Sequence, residues 1–266
     1  MSYFTLLPCL FLASCQSLYL QKTVNIPQLE KKDDGNVSAS FSFNYGFNVQ
    51  GAYAVTNHLG VMANSFFTYN NDPKYKNDYH RCLELGAGYY TRIGDVAIME
   101  FYGGGSIGLI DAEYSRTFDE FFTNYIIQYF GYIFTQGSYS PIFGPQSGNE
   151  DRIRASGKYN TQFLQANLSI PTNDDFYVCL TTKVTRASFT DYKEASITHP
   201  GYYVKLGVPS QIMIQPVITL ISKGKHLRVM AQLGYVAGID DARSVFSWQR
   251  TIMASGIIYR FNAGKK

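Results

Sequence analysis

One stretch of unbroken alternation constrains the fold of this chain more than any other feature. Residues 37–55 read VSASFSFNYGFNVQGAYAV, with mostly large apolar side chains at odd positions and small or polar ones at even positions. The side chains of a β-strand point to opposite faces with a period of two. The stretch therefore predicts strand structure with one apolar face and one polar face.

The same alternation recurs along the rest of the chain. It appears in residues 59–69, 81–89, 97–109, 164–170, 176–184, 212–220, 227–237 and 253–261. Dividing residues 37–55 at Asn44-Tyr45-Gly46 gives ten strands, because Gly46 can adopt the positive φ of a tight hairpin. Single-chain bacterial membrane barrels have even strand numbers, which favours ten within a range of eight to ten.

The lengths of the connections indicate which face meets the membrane. Short links follow residues 55, 93, 170 and 221, and longer ones follow residues 69, 109, 189 and 237. Short periplasmic turns opposite long outer loops are typical of outer-membrane barrels. Charged residues make up only 16% of the chain and aromatic residues another 16%, as an apolar outer surface with aromatic girdles requires. We predict an all-β fold, an antiparallel transmembrane up-and-down β-barrel over residues 37–262.

The first residues predict export and anchoring. Residues 3–14 carry no charge and are too short to span a bilayer as a helix. Leu12-Ala13-Ser14-Cys15 resembles a bacterial lipobox, which implies that residues 1–14 are a lipoprotein signal peptide and that Cys15 is lipidated. One feature departs from this pattern, since no Lys or Arg precedes the apolar run. A buried N-terminal segment with an incidental cysteine is the alternative.

These features predict a location and a topology. We expect a protein anchored in the cell outer membrane and in contact with its lipid, with both termini in the periplasm. Residues 15–36 would then form a polar tether between the lipid and the barrel.

The last strand carries a second export feature. Gly256, Tyr259 and Phe261 resemble the Gly-x-x-aromatic-x-aromatic signal of outer-membrane barrels, which implies contact with the barrel-assembly machinery during biogenesis. Five residues follow the motif, where it usually ends the chain, and an ordinary amphipathic strand is the alternative.

A long insertion, residues 111–152, lies on the side of the long loops. Its aromatic residues recur at the three-to-four spacing of an amphipathic helix: Phe118, Phe121, Phe122, Tyr125, Tyr129 and Phe130. Thr117 and Glu120 have the spacing of a capping box, and Gly131 is suited to ending the helix. We predict a short helix in an extracellular insertion that covers the barrel mouth, meets the lipid interface or binds an envelope partner protein.

The polar face of the strands predicts the contents of the lumen. It carries five charged residues: Glu84, Glu100, Lys183, Arg228 and Arg260. A ten-stranded barrel is narrow and buried charges must pair, so we expect an ion-pair plug, with a polar path for a small solute as the alternative. Cys82 and Cys179 face the same lumen and are expected to be free thiols.

The order of these features resembles small outer-membrane β-barrel lipoproteins of Bacteroidota. The resemblance rests on residues 24–27 (VNIP) before a charged linker, on residues 47–64 and 84–90, and on residues 159–170 before FYVCLTTKVTRASF. It covers most of the mature chain, and it implies a fold and a compartment. It brings no catalytic motif.

The sequence therefore favours a non-enzymatic outer-membrane lipoprotein with a structural, accessory or partner-binding role. We find no metal-ligand spacing, no cofactor motif and no nucleic-acid signature in a net charge of +3. A narrow pore is the first alternative. A rim-active hydrolase, using Asp78, His80, His199, Asp240 or Asp241, is the second. A soluble lipophile-binding barrel, with Phe41, Phe43, Val49 and Tyr53 inside, is the third.

Overall fold

The computed structural model describes residues 22–42, 46–70, 78–115, 152–172, 175–196, 210–238 and 251–261. Eleven strands are assigned within these ranges. They are β1 (Gly35–Ser42), β2 (Gly46–Ala54), β3 (Leu59–Asn70), β4 (Asp78–Ile93), β5 (Ala97–Ser115), β6 (Arg152–Pro171), β7 (Phe176–Ser196), β8 (Ser210–Ser222), β9 (Leu227–Tyr235), β10 (Ala237–Gly238) and β11 (Thr251–Phe261).

The strands close into one antiparallel barrel. Each pairs with its neighbours in chain order, and β1 closes the ring on β11. β9 and β10 form one strand interrupted at Val236. Both pair with β8 in the same register, since Gly234 of β9 is opposite Val217 and Ala237 of β10 is opposite Ile214. The result is a closed ten-stranded barrel, and it confirms both the predicted class and the division of residues 37–55 into two strands.

The apolar face of the strands points outward. Phe41, Val49 and Tyr53 are 51%, 37% and 39% exposed, and Leu164 and Ile107 are 70% and 67% exposed. The polar side chains between them are buried inside. A soluble barrel would have the opposite arrangement, so the lipophile-binding alternative is wrong for these faces. A continuous apolar outer belt is what a membrane barrel presents to lipid.

The two ends of the barrel differ. The connections at residues 55–58, 94–96 and 223–226 lie at one end, which we call the short-turn end, as do the paired strand ends Pro171 and Tyr177. Gly94 takes a φ of +54° there, a conformation that glycine adopts readily. Gly35, where β1 begins, is opposite Phe261, where β11 ends, so the barrel also starts and finishes at the short-turn end. The strand ends at Ser42 and Gly46, Asn70 and Asp78, and Ser115 and Arg152 lie at the opposite end, which we call the long-loop end.

Two strands are far longer than the alternation predicts. β6 and β7 extend well beyond residues 164–170 and 176–184 toward the long-loop end. On that part of β6 the outward side chains are polar, for example Lys158, Asn160 and Gln162. The strands there have no apolar outward face, which is why the search for apolar alternation missed them.

The long insertion is correspondingly shorter than expected. Ser115 is paired with Arg152, so residues 111–115 and 152 belong to paired strands. The predicted helix, with Phe118, Phe121, Phe122, Tyr125, Tyr129 and Phe130, lies outside the described residues. Within the described ranges, no helix is long and apolar enough to cross a membrane.

Candidate functional site: the occupied lumen

Residues 22–34, which we call the lumen segment, lie inside the barrel. They precede β1 and have no strand or helix assignment, yet residues 22–29 and Asp34 are buried, and only Lys32 and Asp33, at the short-turn end, are exposed. The sequence interpretation of residues 15–36 as a tether between lipid and barrel is therefore wrong for this segment. The physical reason is that the barrel wall carries small polar side chains, and these leave space and hydrogen-bonding groups for one extended chain.

The wall holds the main chain of the segment through glutamine side chains. The Gln232 amide donates to the Val24 carbonyl at 2.7 Å, and its oxygen accepts from the Val24 amide at 3.2 Å. Three further glutamine amides donate to main-chain carbonyls of the segment: Gln50 to Thr23 at 2.9 Å, Gln165 to Asn25 at 2.6 Å and Gln215 to Lys22 at 3.1 Å. Buried backbone groups require partners, and these four strands supply them.

Glu84 is the charged centre of the lumen. Its carboxylate accepts from Lys183 at 2.8 Å through both oxygens and from Lys22 of the lumen segment at 3.0 Å. The Asn64 amide donates to the same carboxylate at 2.7 Å, and the Asn64 side-chain oxygen accepts from Asn25 at 2.7 Å. All of these side chains are buried. One wall carboxylate is thus shared by one wall lysine and one lysine of the segment.

Two arginines hold the segment nearer the short-turn end. Arg228 donates to the side-chain oxygen of Gln28 at 2.7 Å, and Arg260 donates to the main-chain oxygen of Gln28 at 3.3 Å. Arg260 also lies 3.2 Å from the carboxylate of Glu30 and 3.7 Å from that of Asp34. Gln28 has a φ of +52°, so the chain bends where the arginines bind it.

Apolar side chains of the segment fill two recesses in the wall. Ile26 packs in a buried cluster with Cys179, Ile221, Met230 and Ile258. Leu29 packs in a separate cluster with Ala52, Ala54, Met62, Tyr90, Tyr102 and Phe163. Gly60 makes room for Leu29, since a Cβ atom at Gly60 would lie 2.6 Å from Leu29 Cδ1.

A different layer occupies the lumen toward the long-loop end. Phe66, His80, Tyr159 and Phe189 form a row of rings with successive centroids 5.1, 5.3 and 5.5 Å apart, which we call the ring layer. The Tyr159 hydroxyl is hydrogen-bonded to His80. Tyr159 lies over Gly108, where a Cβ atom would be 2.1 Å from the ring. Phe66, Tyr159 and Phe189 belong to a buried apolar cluster that includes residues of β8 and β11.

The ring layer bears on the hydrolase alternative. His80 was expected at the outer rim, but it is 1% exposed and faces the lumen, so it is not a rim residue. The side chain of Asp78, together with His199, Asp240 and Asp241, lies outside the described residues. Among the described side chains, no group of three or more His, Cys, Asp or Glu is placed to hold a metal ion.

The predicted lumen charges have different partners. Glu84 and Lys183 pair with each other, and Arg260 pairs with carboxylates of the lumen segment. Glu100 accepts hydrogen bonds from the Leu29 main chain, the Asn167 amide and the Tyr102 hydroxyl, at 3.2, 3.1 and 3.4 Å. Arg228 binds Gln28 and the Gly224 carbonyl rather than a carboxylate among the described contacts. Cys82 and Cys179 are buried free thiols.

The sequence reasoning missed the residues that hold the segment. Gln50, Gln165, Gln215 and Gln232 read as ordinary polar members of alternating strands, and Lys22 read as part of a linker. One signal was present in the sequence. Val24, Ile26 and Leu29 are apolar residues that a solvated tether has no reason to contain.

The closed ring, the apolar belt and the unequal ends define the class of fold. It is that of an outer-membrane β-barrel, here with a lumen occupied by its own chain. No protein-family model matches the chain, and no curated protein matches its sequence.

Solved membrane barrels resemble the chain only distantly. The translocator domain of the autotransporter NalP from Neisseria meningitidis is 10% identical, with a TM-score of 0.46 and 86% of each chain covered. The N-terminal barrel domain of Pseudomonas aeruginosa OprF is 8% identical, with a TM-score of 0.33, covering 87% of this chain and 99% of that one. A major outer membrane protein from Thermus thermophilus is 11% identical, with a TM-score of 0.37, covering 86% and 99%. This likeness carries no information about a solute or a partner.

Proposed function

We propose that this protein is a non-enzymatic outer-membrane lipoprotein that serves the cell envelope as an accessory, partner-binding barrel. The observation that carries the proposal is the occupied lumen. Glutamines from four strands and the carboxylate of Glu84 bind the chain's own residues, and the ring layer lies above them. A barrel whose inward polar groups bind its own chain in this way is suited to rigidity, not to the passage of solutes.

Conductance of the purified full-length protein in planar bilayers tests this directly. Wild-type protein is expected to give no stepwise conductance, because the lumen segment is hydrogen-bonded to side chains around most of the ring and blocks the polar path. Folding of the barrel in the membrane is checked separately, by a band on an unheated denaturing gel that shifts on boiling. Inserted protein that conducts steadily would contradict the proposal.

The proposal includes an anchor and an assembly signal. We infer that Cys15 carries a lipid and that the short-turn end, with the C-terminus, faces the periplasm. Gly256, Tyr259 and Phe261 are offered as the assembly signal. Their position on the strand that closes the ring supports this, since Tyr259 is opposite Val37 and Phe261 is opposite Gly35 on β1. Replacing Cys15 with alanine is expected to abolish lipid labelling and to leave the barrel in the membrane.

The partner element is assigned to residues 116–151, whose aromatic spacing in the sequence supports a recognition role. The described strand ends allow a sharp test, because Ser115 and Arg152 are directly opposite each other. Opposed residues in an antiparallel pair lie about 5 Å apart, so an Asn-Gly turn can replace the insertion without moving the strands. The shortened protein is expected to remain heat-modifiable and to lose co-purifying envelope protein. Unchanged co-purification would contradict the assignment.

A narrow pore is the second candidate, and one observation favours it. The wall around the segment is made of small polar side chains such as Ser38, Ser40, Thr181 and Thr219, which would line a polar path if the segment left. Lys22→Ala removes the segment's charged anchor while keeping the pair between Glu84 and Lys183. Intermittent conductance by Lys22→Ala with a silent wild type would favour a gated pore. No conductance by either the wild type or Lys22→Ala would favour the accessory role.

A further inference from the structure

The lumen segment travels in one direction along the barrel axis. Asp33 and Asp34 are hydrogen-bonded to Ala54, at the short-turn end of β2. Leu29 binds Glu100, three residues into β5 from the short-turn end. Asn25 and Lys22 bind Asn64 and Glu84, which are opposite each other and farther from the short turns. Lys22 also contacts Cys82, two residues beyond Glu84 toward the long-loop end. From Asp34 back to Lys22, the chain therefore runs from the short-turn end toward the long-loop end.

Near Lys22 the segment is surrounded by the wall. Residues 22–25 form hydrogen bonds to side chains around most of the ring: Ser40 on β1, Gln50 on β2, Asn64 on β3, Glu84 on β4, Gln165 on β6, Gln215 on β8 and Gln232 on β9, while Lys183 on β7 shares Glu84 with Lys22. A ten-stranded barrel has a narrow interior that side chains largely fill. A second length of chain returning beside this one to the short-turn end has no space.

The sequence upstream suits the next layer of the lumen. Beyond Lys22, toward the long-loop end, the wall presents the apolar cluster that contains Phe66, Tyr159 and Met213. The residues that precede Gln21 in the sequence are Leu18, Tyr19 and Leu20. An apolar stretch of chain thus comes before the charged residue that binds Glu84, in the same order as the layers of the wall.

We propose that the barrel is a conduit for its own N-terminal chain and delivers that end to the long-loop face. Cys15 is seven residues before Lys22, a reach of up to about 25 Å when extended. Six residues of β4 separate Glu84 from Asp78, about 20 Å along the strand and less along the tilted barrel axis. Cys15 can therefore reach the long-loop rim of this strand.

The conduit changes the place of the anchor. The inference rests on the proposed orientation, in which the short turns are periplasmic, and it puts the lipid of Cys15 in the outer leaflet. That differs from the expectation of a periplasmic N-terminus. It also requires the barrel to close around the segment, because an acylated end cannot later be drawn through a filled lumen.

An epitope inserted between Ser17 and Leu18 of the full-length protein tests the conduit. Two control proteins carry the same epitope at Asp95, in a short turn, and within residues 197–209, in a long loop. Antibody binding is measured on intact cells and on permeabilised cells. A gel with and without boiling shows that each protein has a folded barrel.

The conduit predicts that the N-terminal epitope on intact cells binds antibody as well as the long-loop epitope does. Binding only after permeabilisation, like the short-turn epitope, would overturn the conduit while leaving the orientation intact. No binding in either state would also overturn it, since an emerging chain must be accessible. Failure of the orientation is recognised separately, by a short-turn control that is labelled on intact cells.

Discussion

The two halves of the lumen are lined in different ways, although strands of the same alternation build both. In the half near the short turns, polar wall residues bind the lumen segment, a stretch of the same chain that belongs to no strand. In the half near the long loops, the wall's own rings, such as Tyr159 and Phe189, pack on one another. The comparison teaches that a polar inner face does not make a water-filled pore. Small polar side chains leave a space, and buried polar groups in that space need partners.

The largest effect is expected at the charged centre. Glu84→Gln leaves Lys22 and Lys183 buried without a carboxylate, because both ammonium groups bind that one side chain. Breaking a buried ion pair typically costs about 3–5 kcal/mol. We expect a loss of that size in the free energy of unfolding, measured by urea titration in phospholipid vesicles.

Asp95→Asn is the matched control for Glu84→Gln. It also removes one carboxylate from an ion pair, but Asp95 is 97% exposed beside Arg92. An exposed pair contributes about 0–1 kcal/mol. If the two variants were equally stable, Glu84 would not hold the segment.

The next effect is expected at the apolar contact of the segment. Leu29→Ala empties the recess between Tyr90, Tyr102 and Met62, and such truncations cost about 2–5 kcal/mol. Val96→Ala, at a 69% exposed position in a short turn, is the control and should change little. Equal unfolding midpoints for Leu29→Ala and Val96→Ala would mean that the lumen segment does not stabilise the half of the barrel near the short turns.

A smaller effect is expected at the glycine beneath Leu29. A methyl group at Gly60 would approach Leu29 Cδ1 to 2.6 Å and the Tyr102 hydroxyl to 3.1 Å, so Gly60→Ala overpacks the lumen by about 1–3 kcal/mol. Gly51→Ala is the control, since its nearest neighbour would be the Asn36 carbonyl at 3.7 Å. Combining Gly60→Ala with Leu29→Val should recover part of the loss. A double variant no more stable than additivity predicts would place Leu29 elsewhere.

The sequence predicted the wall of the barrel well, and for a definite reason. Where strands cross the lipid, the outward side chains must be apolar, as at Phe41 and Leu164, so period two is visible. Where β6 and β7 rise above the apolar belt, outward residues such as Asn160 and Arg186 are polar and the period disappears. In that region the strands are defined only by their pairing with one another, and strand pairing cannot be recognised from a single sequence.

The contents of the lumen were harder to predict. The alternation shows that Gln165 and Gln232 face inward but not what they bind, since a glutamine suits water, a side chain or a main chain equally. Their partners, Asn25 and Val24, are 140 and 208 residues away in the chain. Glu84 and Lys183 were singled out by charge, but the second lysine on Glu84 is Lys22, which reads as part of a polar linker.

The most direct test of the account asks whether the segment is inside the barrel. The hydroxyl oxygens of Thr23 and Ser40 are 3.2 Å apart in the lumen, so cysteines at both positions can form a disulfide with a small adjustment. Phe41 is the next residue on the same strand but points outward to lipid. We would oxidise the full-length variants Thr23→Cys/Ser40→Cys and Thr23→Cys/Phe41→Cys in membranes and quantify the linked peptides by mass spectrometry. The account predicts cross-linking of the first pair and not of the second. Equal cross-linking of both pairs, or none in the first, would contradict an N-terminal segment held in the lumen.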